Sequence, residues 1–376
     1  MAFGDTFLSS TETQQKKRIA ILIDSLYGGG AEKVMLTLVS TLVELGHDAQ
    51  IIVLSKNVDY EIPMHCTVHS LYDKKVKLKG YFRGKKHARK LKHLVSELEE
   101  KSGAFDLFIA NLEETYRIAS ACNFDRIYYV IHNSIIETLK RTRLLGPIKY
   151  FYLKSILRKL KGKDLLTVSK GIEQELRDTQ VIQARSVQTI YNPYDVESIQ
   201  KLAQEKDIGI PLEPYIIHVG RAARQKRHDV LFKALRHINP KYKLVCLAND
   251  IKKLSALASS LGVSDRVIFP GFQQNPYPWI ANAKAMVLSS DYEGFSNVLI
   301  ESVICGTLPV STDCPHGPNE ILTGSLAQFL SERKNPQQLA EKVNAALESA
   351  LAPAECAVLT KVDNQLVAQR YLSLIK

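Results

Sequence analysis

No stretch of 18 or more apolar residues occurs in this chain, because Lys, Arg, Asp or Glu interrupts every candidate run, which excludes a membrane-spanning helix. The first residues, MAFGDTFLSSTETQQKKR, have no apolar core of the kind a secretion signal needs. Residues 1–16 are expected to be disordered and the chain to stay in the cytoplasm, either free or peripheral on the inner face of the membrane. Cysteine is sparse and scattered: Cys66, Cys122, Cys246, Cys305, Cys314 and Cys356 form no CxxC pair, so reduced thiols are expected. His65, Cys66 and His69 lack a fourth ligand at metal spacing, and HCTVHS reads as an alternating strand, so no metal site is expected. Neither a P-loop nor GxGxxG is present, since no GK[ST] follows Gly28-Gly29-Gly30. Short repeats and low-complexity tracts are absent too.

Acid is missing locally. Between Lys74 and Lys92 there are ten Lys or Arg residues and no carboxylate. A second basic run spans Lys140 to Lys163, where Tyr150, Phe151, Leu153, Ile156, Leu157 and Leu160 interleave with Lys and Arg. Such segments suit anionic lipid headgroups or phosphorylated acceptors, or simply a solvated face; nucleic acid is not expected as a partner.

What is present follows one grammar. With 376 residues the chain has room for two cores. RIAILI (18–23) reads as a strand, SLYGGG as a loop and AEKVMLTLVSTLVELG as a helix; further strands are expected at 50–54, 106–110, 127–131 and 165–168. The pattern restarts at Tyr215 with YIIHVG, KYKLVCLA, RVIFPGF, KAMVLSS and LPVST as strands between helical segments. Strands alternating with helices imply parallel sheets covered on both faces. The polar segment 194–214, ending in two prolines, marks the junction. The expected domains are therefore 1–194 and 195–355, both Rossmann-like, with 356–376 a C-terminal helix packing back on the first. Ligands of such sheets bind outside the C-terminal strand ends, in the cleft.

The residues able to do chemistry sit at those ends. Gly28-Gly29-Gly30 opens a helix, either as an anion-binding N-terminus or as an ordinary tight turn. Arg221 lies one residue past a strand, Lys226 five further on, with Arg224 and Arg227 nearby. Two cations there suit a diphosphate, the alternative being a salt-bridged loop. In DYEGFSNVLIES, Ser296 and Asn297 are good helix caps, so the N–H groups of Phe295 to Val298 would face an anion between Glu293 and Glu301. His132 ends the run YYVI and should face the cleft from the first domain, able to exchange a hydrogen bond with a reacting group, the alternative being a satisfied turn residue.

At these residues the chain resembles glycosyltransferase family 4, retaining enzymes of the GT-B fold. HVGRAARQK is similar to the family's phosphate loop, Glu293 to Glu301 to its E-x7-E element, Gly28 to Glu32 to its GGxE loop, and His132 to its active-site histidine. SSDYEGFSNVLIES and STDCPHGPNEIL look like bacterial members that build lipopolysaccharide, capsule or glycan chains from UDP-activated hexoses or N-acetylhexosamines. The resemblance implies that Arg221 and Lys226 bind the donor pyrophosphate. It gives Glu301 the ribose hydroxyls, and it gives Glu293 and His132 the transferred sugar. The N–H groups of Phe295, Ser296, Asn297 and Val298 would assist, Gly29 and Gly30 would approach phosphate or acceptor, and Phe272 would seat the base. It implies a nucleotide-sugar donor, a glycan or lipid-linked acceptor, and no cofactor or metal. Two departures stand out: Arg227 follows Lys226 where glycine is usual, and RHDV replaces GxDxL. Sugar-nucleotide 2-epimerases share the two-domain plan, and a non-catalytic protein binding membrane or nucleic acid through the basic runs is the third reading.

Overall fold

The structure is a computed structural model describing residues 15–375 apart from 59, 77, 79, 81, 82, 354 and 355. Most of the leader expected to be disordered, with Lys77 and Lys79 of the first basic run and the C-terminal Lys376, lies outside the described residues.

Seven strands, β1 (Arg18–Ile23), β2 (Asp48–Val53), β3 (Thr67–Ser70), β4 (Leu107–Asn111), β5 (Ile127–Ile131), β6 (Asp164–Thr167) and β7 (Ser186–Thr189), form the first sheet. Its order is β3-β2-β1-β4-β5-β6-β7, and every neighbouring pair is parallel. Six more, β8 (Tyr215–Val219), β9 (Lys243–Leu247), β10 (Val267–Ile268), β11 (Met286–Leu288), β12 (Pro309–Thr312) and β13 (Leu330–Ser331), form a second parallel sheet in the order β10-β9-β8-β11-β12-β13. In each sheet the strand order reverses beside the first strand, at β1/β4 and at β8/β11. These switch points are where an open α/β sheet leaves a crevice beyond its C-terminal strand ends.

The central strands are continuously apolar because helices cover both faces; all six residues of β1 are buried. The helix Gly30–Glu44 buries Val34, Met35, Leu38, Val39 and Leu42, the three-and-four spacing of one helical face, and the chain then turns at Gly46 with φ +87°. The segment RVIFPGF pairs only over Val267–Ile268: it is an edge strand, and Pro270 has no N–H to continue the ladder. The polar junction holds a helix, Val196–Ala203. The Asp195 carboxylate caps it by accepting from the Ser198 N–H at 2.9 Å, and Ile199 is its buried residue.

The chain finally crosses back. Tyr194 N–H donates to the Val362 carbonyl at 2.9 Å, Asn364 N–H donates to the Tyr194 carbonyl at 3.1 Å, and the Asn364 amide donates to Thr41 Oγ1 at 3.0 Å. The helix Asn364–Leu372 thereby packs Val367, Ala368 and Tyr371 into the first lobe, against Gly30–Glu44.

One departure from the family pattern has a conformational explanation. Arg227 adopts the left-handed region, φ +49° and ψ 47°, where glycine carries no steric penalty. Its guanidinium offsets that strain with two bonds to Asp229 at 2.8 Å and one to Asp291 at 2.9 Å. Arg227→Ala keeps the strain and loses the pairs, so a loss of about 1–2 kcal/mol is expected. Arg227→Gly removes both and should lie within about 0.5 kcal/mol of the parent. Equal melting temperatures for the two variants would refute this account.

Candidate active site

The loop after β8 and the loop after β11 are built as one unit. The Lys226 carbonyl accepts from Ser289 Oγ at 2.7 Å, the Gln225 amide donates to the Tyr292 carbonyl at 2.6 Å, and Asp291 N–H donates to the Gln225 carbonyl at 2.9 Å. Lys226 Nζ consequently meets Glu293 Oε1 at 2.8 Å, with both side chains largely out of water. Arg221 is exposed on the same loop. Glu293 is held on its far side by the 312–317 loop, its N–H donating to the Pro315 carbonyl at 2.7 Å and its carbonyl accepting from His316 N–H at 3.1 Å.

Next comes the start of the helix Asn297–Ile304. Ser296 occupies the cap position in the left-handed region, φ +62°, and its buried hydroxyl has no partner among the described residues. Sequence reading made Ser296 and Asn297 caps, and the structure corrects that. Left-handed backbone turns the Ser296 side chain away from the helix end. The Asn297 side chain crosses to the other lobe, accepting from Asn192 at 2.7 Å and Tyr194 OH at 2.7 Å and donating to the Gly30 carbonyl at 3.2 Å. Phe295 and Ser296 N–H have no acceptor among the described residues, while those of Asn297 and Val298 are first-turn donors a helix leaves unpaired. The Phe295 ring is buried against Tyr191 at 4.9 Å between centroids. Four N–H groups without acceptors among the described residues thus follow closely in the chain on the Glu293 carboxylate and its lysine, a grouping able to hold a multiply charged anion.

Glu301 is buried one turn into that helix and accepts from Lys33 Nζ at 2.7 Å and Tyr277 OH at 3.3 Å. Lys33 also lies over the Tyr277 ring, 4.4 Å from its centroid. Lys33 was not singled out by sequence; its signal was adjacency to the glycine loop. In that loop Gly28 has φ +58°, and a Cβ on Gly30 would meet the Asn297 amide nitrogen at 2.8 Å. One on Gly29 would run into the Glu32 carboxylate. Glu32 is buried, which raises its pKa, against the pull of backbone hydrogen bonding and of the Arg221 charge. Phe272, 56% exposed just past Gly271, makes no ring contact among the described residues.

From the first lobe, His132 follows β5 and its Nε2 lies 2.9 Å from Asn111 Oδ1. The Asn111 amide nitrogen faces two acceptors, the Leu22 and Ile109 carbonyls at 3.2 Å each. Only its oxygen is therefore left for the ring, so Nε2 carries the proton and Nδ1 is a bare acceptor. Burial pushes the ring's pKa down to about 4, which keeps it neutral at physiological pH. The His132 carbonyl touches Gly294, so tightly that a Cβ on that glycine would overlap it. Sequence reading missed Asn111; it ends an apolar strand, where a lone amide gives no pattern.

A second pair of carboxylates locks the lobes together. Glu320 accepts from Lys170 N–H at 3.0 Å, Gly171 N–H at 2.7 Å and Tyr191 OH at 2.9 Å, and His316 Nε2 lies 3.0 Å from Glu175.

Beneath the Lys226 loop lie His218 and His228, ring centroids 4.8 Å apart, each with an unpartnered Nε2. Burial pushes His218 down to about 4; burial, then the His218 and Lys226 charges, pushes His228 down to about 2. A group whose folded pKa is depressed below its free value near 6.5 charges first in the unfolded chain, so its acidification favours unfolding. Melting temperature should fall as pH drops from about 6.5 toward 4, each histidine costing about 1.4 kcal/mol per pH unit. His228→Leu should flatten that fall, and parallel melting curves across pH would refute it.

Two parallel-sheet lobes whose strand ends face across a cleft, with a cationic loop and an open helix start on the second lobe, define the GT-B glycosyltransferases. The chain belongs to glycosyltransferase family 4. The sequence model described as Glycosyltransferase Family 4 matches residues 28–198, and the one described as Glycosyl transferases group 1 matches residues 200–359. Over 346 residues it is 29% identical to the N-acetylgalactosamine-N,N'-diacetylbacillosaminyl-diphospho-undecaprenol 4-alpha-N-acetylgalactosaminyltransferase of Campylobacter jejuni, covering 88% of this chain and 90% of that one. Over 170 residues it is 29% identical to the lipopolysaccharide 1,6-galactosyltransferase of Salmonella typhimurium, covering 43% and 46%. Among solved structures, Anabaena HepE in complex with UDP and glucose superposes with a TM-score of 0.73 at 18% identity, over 95% of this chain and 98% of that one. The lipopolysaccharide outer core galactosyltransferase WaaB in its apo form gives 0.66 at 18% identity, over 95% and 99%.

Proposed function

We propose that this glycosyltransferase moves a hexose or N-acetylhexosamine from a UDP-sugar to a hydroxyl of a glycan or lipid-linked acceptor, with retention and without a metal, in cell-surface polysaccharide or lipopolysaccharide synthesis. The observation carrying this reading is the Lys226–Glu293 pair, followed in the chain by Gly294 against the His132 backbone and by the N–H groups of Phe295 to Val298, which have no acceptor among the described residues. The relatives that build lipid-linked glycan and lipopolysaccharide, and the UDP held by HepE, support it.

In this reading the C1–oxygen bond of the donor breaks, positive charge grows on the sugar and negative charge on the departing UDP. Arg221, Lys226 and the helix start stabilise that charge, the role a metal plays elsewhere. Glu301 accepts from the ribose hydroxyls, exchanging them for Lys33. Glu293 orients the sugar, and His132 Nδ1 accepts from one of its hydroxyls. Phe272 lies on the base side. The acceptor hydroxyl attacks from the face UDP leaves, giving its proton to a phosphate oxygen. With a membrane-anchored acceptor, the enzyme works at the cytoplasmic face of the bilayer, and nucleic acid is no partner.

Thermal shift against UDP, GDP and their sugars tests the donor, because a ligand bound by the folded state raises stability with its affinity. UDP should give the larger shift, undiminished by a chelator. Proton NMR of the product reads the anomeric configuration. An epimer at C2 formed from UDP-sugar alone, with no transfer product, would replace this reading with the 2-epimerase one.

A further inference from the structure

The second basic run folds into a helical hairpin, Ile135–Leu144 and Pro147–Leu157, joined at Leu145-Gly146 with Gly146 at φ +111°. Leu153, Ile156 and Leu157 face the first lobe and are buried. The turn does the opposite: Leu144 is 79% exposed, Leu145 52%, Ile148 77% and Phe151 58%. These are four of the twelve large apolar side chains exposed among the described residues, gathered within eight positions. Scattered single apolar residues on a surface need no explanation; a contiguous cluster rimmed by charge does.

Apart from Glu137 the charges of the hairpin are all cationic. Lys140 pairs with Glu137 at 2.8 Å and Arg141 reaches Tyr292 OH at 3.3 Å. Among the described residues no carboxylate lies within ion-pair distance of Arg143, Lys149, Lys154, Arg158 or Lys159. The hairpin also has a fixed relation to the cleft: its first helix begins three residues after His132, and Arg141 touches the residue preceding Glu293.

We propose that this tip is a membrane-docking wedge, Leu144, Leu145, Ile148 and Phe151 entering the headgroup boundary of an anionic bilayer while Arg143, Lys149, Lys154, Arg158 and Lys159 hold its phosphates. An apolar tip ringed by unpaired cations has the chemistry of an interfacial anchor, in which burial and electrostatic attraction add. A face meant for a second protein copy would have to bring like-charged rims together, which opposes self-association. Docking here sets the cleft at bilayer height, where the hydroxyl of a lipid-linked acceptor would be found; in that respect the inference rests on the acceptor class proposed above.

The test is flotation with phosphatidylcholine vesicles, with and without phosphatidylglycerol. The parent should bind only the anionic vesicles. Leu144→Ser, Ile148→Ser and Phe151→Ser combined should lower partitioning about ten-fold or more, leaving a salt-sensitive remainder. Arg143→Glu with Lys149→Glu should lower it about as much, each cation contributing about five-fold. None of these side chains packs in the core, so melting temperature and the UDP-induced shift should stay at parent values. Unchanged vesicle binding in the serine variant would overturn the proposal. So would a lipid-free dimer in sedimentation that the serine substitutions dissolve. Loss of the UDP shift in the parent would sink the donor reading and leave the vesicle result untouched, so the two failures are distinguishable.

Discussion

Lys226→Met should lower kcat/KM by about 100- to 1,000-fold, the usual effect of removing one preorganised group from a developing negative charge. It should also destabilise the fold. Lys226 and Glu293 are an ion pair 2.8 Å apart with side-chain exposures of 16% and 9%, and a carboxylate left there alone keeps the cost of desolvation without its counter-charge. A loss of up to about 3 kcal/mol is expected. Adding Glu293→Gln separates the two effects: the double variant should regain most of the lost melting temperature and none of the lost turnover. Recovered activity in the double variant would mean that Lys226 serves only to neutralise Glu293. Full stability in the single variant would mean that water reaches the pair.

The second large effect comes from one methyl group. Gly294→Ala places a Cβ where the His132 carbonyl already stands, and that obstacle is backbone, unable to rotate aside. Because Gly294 lies on the second lobe and His132 on the first, the substitution should force the cleft apart rather than unfold either lobe. A fall in kcat/KM of about 100-fold is expected, the scale of an ångström-level misplacement of reacting groups. UDP binding should stay close to the parent value, since Lys226, Glu301 and the helix start all belong to the second lobe. Small-angle scattering should report a larger radius of gyration. Unchanged turnover would show that the contact opens freely during the reaction.

Much of this was legible beforehand, for definable reasons. The central strands announced themselves because burial on both faces demands continuous apolar runs; β5 was read to the residue and β1 likewise. Edge strands carry no such demand. In β7 the residues alternate exposed and half-buried, and SVQT has no apolar run to find, so it went unread, as did the two-residue β13. Charged residues at strand ends were recognisable because their positions follow from the strands. Partnerships were not: Lys226 with Glu293 spans 67 residues and Lys33 with Glu301 spans 268, and no local period encodes them. The cap misreading at Ser296 has the same root. Serine before a helix usually caps it, but here Ser296 is left-handed and makes no cap bond, in a turn whose neighbouring Phe295 backbone packs closely on Gly317, and such tertiary surroundings are not encoded in the local sequence.

Glu320 has a consequence beyond holding two lobes together. It accepts the N–H groups of Lys170 and Gly171, the first two donors of the helix Lys170–Thr179, so a carboxylate of the second lobe finishes a helix of the first. Swinging the lobes apart unfinishes that helix, and its end must then be hydrated. Part of the resistance to that motion is therefore written in helix-end chemistry, about 1 kcal/mol per terminus, beside the buried Tyr191–Phe295 contact and the bonds of Asn297 and Glu301 across the lobes. A contact of that kind re-forms with its register intact, because N–H groups at a helix end donate to a carboxylate held in one orientation. When the lobes meet again, that single orientation restores the same contact of the His132 backbone with Gly294.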